Sequence, residues 1–193
     1  MTNPYYPARA TTEVLWGEVA PREHAVQLYA HDEVLLEALE GFVGGGLRAG
    51  DGIILIATNA HRAALEQRLH ARRFNLDIAR AEDRYLPMDA EAALARFMVK
   101  GWPDPQRFDR LVAGLLKRAR GRGRRVRSFG EMVALLWHQG QAEATLRLEA
   151  LWNQLHAREA FTLFCAYPRS HFSTGEPGSE AQICAQHTRL IAV

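Results

Sequence analysis

The chain has 193 residues, 48% of them apolar and 24% charged, enough to bury one good core with little left for a second. Its 24 lysines and arginines nearly balance 22 aspartates and glutamates, for a formal net charge of +2, which excludes a global field drawing it to nucleic acid or anionic membrane. Two cysteines, Cys165 and Cys184, are too few for a disulfide framework and suit a reducing compartment. With no secretory pattern at the start and no run approaching about eighteen apolar residues, a cytoplasmic protein without membrane contact is expected.

Residues 1 to about 22 carry three of the eight prolines and no clear period. They read as an N-terminal arm ahead of a single domain over 23–193. Ala25–Tyr29 predicts a short strand, and Asp32 caps a helix whose apolar face is Leu35, Leu39, Phe42 and Val43; the Gly44-Gly45-Gly46 run is expected to stop it. Ile53–Ala57 is continuously apolar and β-branched, as a strand buried on both faces must be, and is the expected central strand of a parallel sheet. The pattern then predicts a helix over about 60–72, a strand at Leu76–Ala79 and a helix from Ala90 to Val99 capped by Asp89.

Asp104-Pro105 is a cap followed by proline at the first helical position, and Phe108, Leu111, Val112 and Leu115 form one helical stripe. Val126–Phe129 predicts a short strand, Glu131–Trp137 a helix, and Leu148, Leu151, Trp152 and Leu155 a further helix. Phe161–Tyr167 is the last strand, ended by Pro168, and Ser179 opens a short helix running through Ile183 towards His187. Strands alternating with helices imply an α/β fold, a mostly parallel central sheet flanked by helices.

Open parallel sheets bind ligands beyond the carboxyl ends of their strands, so the turn after Ile53–Ala57 is the place to test for a nucleotide. A phosphate loop needs glycines and a Lys-Ser/Thr pair. The chain has Thr58-Asn59-Ala60-His61-Arg62 there, which is more simply a helix cap. His24, His31 and His61 lack metal-ligand spacing and the cysteines lie far apart, so neither a metal nor a cofactor is expected. No G-x-S-x-G elbow occurs, and no catalytic residue is assigned.

If the strands at 53–57, 126–129 and 161–167 are neighbours, Thr58, His61, Glu131 and Tyr167 converge on one pocket, with Phe129 and Met132 as an apolar wall. Against this, Glu131 also suits the first turn of a helix with no function, and a strand-end tyrosine is more often packing. Residues 117–127 hold seven cations; Arg120, Arg122, Arg124 and Arg125 read as a docking surface for a protein partner or a second copy, or as the solvated end of a helix. No aromatic residues interleave the run, so direct DNA binding is not expected.

His24-x-x-x-x-Tyr29, Gly46-Leu47-x-x-Gly50-Asp51, Gly130-Glu131-Met132, a helix with Glu149 and Asn153, Phe164-Cys165-Ala166-Tyr167 and Ile183-Cys184-x-x-His187, in this order, resemble the MEDS domain, the methanogen/methylotroph DcmR-type sensory domain, from about residue 22 to residue 191. Gly45-Gly46-Leu47-Arg48-Ala49-Gly50 is similar to the lead into the first core strand of KaiC-type ATPases, without their Gly-Lys-Thr loop. The resemblance implies a degenerate RecA/KaiC-like regulatory domain that senses a small organic molecule, hydrocarbon derivatives above all, and adds His24 and His187 as binding candidates. Its output would pass through a separate histidine kinase or transcription regulator, or through homo-oligomerisation. A ligand-free interaction scaffold and a residual nucleotide-binding protein stay open as alternatives.

Overall fold

Strand and helix alternate along the chain in a computed structural model that describes Trp16, residues 22–172 and residues 179–191. The elements are β1 His24–Tyr29, α1 Asp32–Arg48, β2 Gly52–Ala57, α2 Asn59–Ala71, α3 Leu76–Ala81, β3 Tyr85–Asp89 and α4 Ala90–Phe97. A small antiparallel pair follows, β4 Met98–Val99 with β5 Trp102–Pro103. Then come α5 Pro105–Arg120, β6 Val126–Gly130, α6 Met132–His138, α7 Ala142–Arg158, β7 Thr162–Pro168, α8 Ser179–Cys184 and β8 Arg189–Ile191. The six long-sheet strands run in the order β3-β2-β6-β7-β1-β8, all parallel. The expected α/β architecture is therefore present, and β2, β6 and β7 are consecutive neighbours.

Topology explains where a crevice forms. From β1 the chain passes through α1 to β2 and through α2 and α3 to the edge strand β3, and these helices bury Leu35, Leu39, Phe42, Leu65 and Leu69 against Ile53, Leu55, Phe129 and Phe164 on one face. It then reverses direction towards β6, β7 and β8, and α4 to α8 pack on the opposite face around Phe97, Phe108, Val112, Trp152 and Ile183. A single crossover hand requires this change of face with change of direction. Consequently β2 and β6 are neighbours whose following segments leave towards opposite faces, the condition for a crevice at their carboxyl ends.

Four expectations are corrected. The glycine run does not stop α1, which continues to Arg48. These glycines instead let the helix approach its neighbours: a Cβ on Gly46 would lie 2.6 Å from Ile53 Cδ1, and one on Gly44 3.2 Å from the Phe74 ring. The turn comes at Gly50, with φ +77°. Residues 76–79 are helical because Asn75 caps them by accepting the Ile78 N–H at 3.0 Å, burying Leu76 and Ala79 three apart while Ile78 stays exposed. The strand there is Tyr85–Asp89, whose internal Pro87 is tolerated at a sheet edge. Finally, β2 lies second from the edge, still covered on both faces.

Of the N-terminal arm only Trp16 falls among the described residues. It is buried, its ring 4.8 Å from Phe42 and 4.6 Å from Phe164. No helix is long and apolar enough to cross a membrane among the described residues.

Candidate functional site

The crevice between β2 and β6 is closed by a carboxylate. Glu131, the first residue after β6, is buried, and its backbone N–H donates to Ile56 O at 2.9 Å, extending the β2–β6 ladder by one bond. Its side chain turns to the other strand's loop. Oε2 accepts the Thr58 backbone N–H at 2.7 Å, and Oε1 lies 2.7 Å from His61 Nδ1. Thr58 also caps α2, its hydroxyl accepting the His61 N–H at 3.4 Å. An internal anion thus occupies the N-terminus of α2, where the exposed N–H groups and helix dipole favour negative charge.

His61 bridges further, with Nε2 3.6 Å from Asp32 Oδ1 at the start of α1. The hydrogen bond to Glu131 raises the imidazole pKa above its ordinary value, against partial burial, with Asp32 adding to the rise. Tyr29, at the end of β1, has its hydroxyl pKa raised by burial, then by the charges of Glu131 and Asp32. Two carboxylates, an imidazole and a phenol thus gather at the carboxyl ends of β1, β2 and β6.

Thr58, His61 and Glu131 are therefore brought together as expected, and Tyr167 is not. Alternate residues of β7 face opposite ways, and Tyr167 points to the α7 side, where its hydroxyl donates to Glu149 Oε1 at 2.5 Å. The expected apolar wall is likewise divided: Phe129 is buried in one core and Met132 in the other.

His24 and His187 form a second, fully buried constellation with Glu149 and Cys165. His24 Nε2 lies 3.5 Å from Cys165 Sγ and 3.7 Å from Glu149 Oε2, and His187 Nε2 lies 3.5 Å from Glu149 Oε1. The two imidazole rings are 4.1 Å apart. Burial first, and for His24 also its histidine neighbour, pushes both imidazoles down to about 4, and burial pushes Glu149 up. Chain spacing hides this set because one member comes from β1, one from α7, one from β7 and one from the turn after α8. The available signal was the polar Glu149 inside the stripe Leu148, Leu151, Trp152, Leu155, a charge that such a face excludes unless it is partnered.

The arginine run is mostly consumed internally. Arg120 pairs with Glu159 at 2.8 Å, Arg124 donates to Ala119 O and Glu82 O, and Arg125 and Arg127 converge on buried Asp51 at 3.2 and 2.8 Å. Arg122 is exposed with no such partner among the described residues. These bonds join the α5–β6 turn to its neighbours at the amino ends of the strands, the pole opposite the crevice.

The sequence profile of MEDS, the MEthanogen/methylotroph, DcmR Sensory domain, matches residues 23–179. The chain belongs to the MEDS family. The family's description suggests a sensory or regulatory role for this MEDS domain. Its matched span holds both Thr58–His61–Glu131 and His24, Glu149 and Cys165, whereas His187 lies beyond it. No curated protein matches the chain.

Proposed function

We propose that this MEDS domain is a degenerate RecA/KaiC-like sensor that binds a small organic molecule at the switch-point crevice, does not hydrolyse nucleotides, and signals through a separate histidine kinase or transcription regulator. The observation that carries the reading is the Glu131 bridge to Thr58 N–H and His61 Nδ1, a buried titratable pair where an open sheet holds its ligands. A ligand's polar group competes with Glu131 for Thr58 and His61, and moving Glu131 shifts the start of α6 relative to α2. Triphosphate is disfavoured because the helix terminus already carries a carboxylate and the loop has no lysine.

For the partner, a cleft of about 620 Å³ lined by Met88, Leu111 and Leu115 is a better surface than the arginine run. Arg96, Arg107 and Arg110 on its rim are exposed and make no ion pair among the described residues, so an acidic partner meets cations whose charge is not already neutralised.

A thermal-shift and calorimetric screen of small organic compounds and nucleotides tests the proposal on wild type, E131A and H61Q. The expected result is a compound whose stabilisation is lost in both variants, with ATP binding weaker than about millimolar. Stabilisation unchanged by both substitutions, or micromolar ATP affinity with phosphate release, would overturn it.

A further inference from the structure

His24, Glu149, Cys165 and His187 place one donor atom each within 4.8 Å of one another. Their side chains are buried, and hydrogen bonds outside the cluster fix how each imidazole faces it. Asn153 Nδ2 donates to Gln186 O at 3.0 Å, which turns Asn153 Oδ1 towards His24 Nδ1 at 2.8 Å as an acceptor. His24 therefore carries its proton on Nδ1. His187 Nδ1 lies 2.8 Å from Ile183 O, again an acceptor only. Both Nε2 atoms consequently present lone pairs inward. Glu149 Oε1 is held by the Tyr167 hydroxyl, while Glu149 Oε2 and His187 Nε2 have no hydrogen-bond partner.

Lone pairs facing one another at 3.5–3.7 Å are too far apart to share a proton in a hydrogen bond and costly to bury unsatisfied. A cation among them removes that cost. We propose that His24, Glu149, Cys165 and His187 form a closed four-coordinate site for a divalent transition-metal ion of the zinc class, tying the turn after α8 to β1, β7 and α7.

Three features select this ion class. Ligands about 2.0–2.3 Å from a tetrahedral zinc lie roughly 3.3–3.7 Å from each other, close to the separations of 3.5–3.7 Å. Two imidazoles, a thiolate and a carboxylate are borderline-soft donors that suit zinc over calcium or magnesium. A dication with one thiolate and one carboxylate is neutral, so the buried assembly carries no net charge. On binding, the Cys165 thiol loses its proton to solvent, as does Glu149 if protonated, and the ion exchanges its waters for two Nε2 atoms, Sγ and a carboxylate oxygen. Asn153, Ile183 O and Tyr167 act as the outer supports that orient metal ligands.

Metal analysis by mass spectrometry of full-length protein purified without chelator, followed by cobalt titration of the metal-free form, tests the site. The expected outcome is about one zinc per chain, with a cobalt spectrum showing tetrahedral visible bands and a thiolate charge-transfer band. C165S loses that band, H187A lowers the metal content, and N153A, which touches no metal, weakens cobalt binding ~10–100-fold. C184S, altering the other cysteine, changes nothing. Circular dichroism establishes that each variant is folded. Wild-type protein that neither retains zinc nor gives a thiolate band with cobalt would overturn the proposal, as would a band undiminished in folded C165S or a cobalt affinity unchanged in folded N153A.

Discussion

Glu131 and Thr58 are joined across the crevice, the carboxylate after β6 accepting the backbone N–H after β2 at 2.7 Å. The bond links two segments that leave the sheet towards opposite faces, and its partner on the same carboxylate is His61. Removing the carboxylate strips an acceptor from a helix N-terminus and from an imidazole at once. E131A is expected to lose about 1.5–3 kcal/mol in urea denaturation, more than the ~0.3–1 kcal/mol of a first-turn charge with no specific partner. E131Q, which keeps an acceptor for Thr58, loses less.

The His61 pair has a pH signature. Glu131 and Asp32 face His61 from β6 and α1, and the folded-state pKa is raised above the ordinary value near 6.5. A raised histidine contributes stability that is fully present below the unfolded pKa and is lost as pH rises through the folded pKa. The stability gap between wild type and H61Q is therefore expected to be larger at about pH 6 than at about pH 8.5. Denaturation midpoints across that window, with an NMR titration of the His61 ring, check the sign. The gap flattens in the E131Q background.

Two glycines differ in what surrounds them. A Cβ on Gly46 meets the ends of Ile53 and Arg127, at 2.6 and 2.9 Å, whereas a Cβ on Gly52 would sit 2.2 Å from the Ala119 carbonyl oxygen at the end of α5. Side chains can yield more readily than backbone. G46A is expected to cost about 1–3 kcal/mol and G52A more, measured by thermal melting of the two variants side by side.

Much of the sheet was legible because apolar runs such as Ile53–Ala57 report burial directly, and Asp89 and Asp104 announced their helices by capping Ala92 and Arg107 at 2.8 Å each. Residues 76–79 were misread because two buried positions three apart and a cap two turns of chain away mimic a short β-branched run. Thr58, His61 and Glu131 were found because topology brings strand ends together. Tyr167 was misplaced because convergence of loops does not fix which face the last side chain of a strand takes. The buried histidine cluster escaped spacing arguments altogether, since His24 and His187 are 163 positions apart in the chain and meet only through the pairing of β1 with β7 and β8.

The cations of the α5–β6 turn separate into anchors and one bystander. Arg127 donates to Asp51, Phe42 O and Trp16 O, and R127A strands a carboxylate that is 3% exposed. A loss of ~3 kcal/mol is expected, against less than about 0.5 kcal/mol for R122A. Chemical denaturation of the two variants measures the difference. An effect of R122A on partner binding would then reflect the surface itself.

The same stitching at Asp51 gives the domain a bound spine. With the amino ends of the strands laced by Arg125 and Arg127 and the carboxyl ends held across the crevice by one acidic side chain, the two halves resemble the covers of a book fastened by a single clasp. Whatever undoes Glu131 would let the covers part at the free margin without loosening the binding, so a small event in the crevice is converted into a change of angle between the outer layers, and a partner resting on either cover can read it.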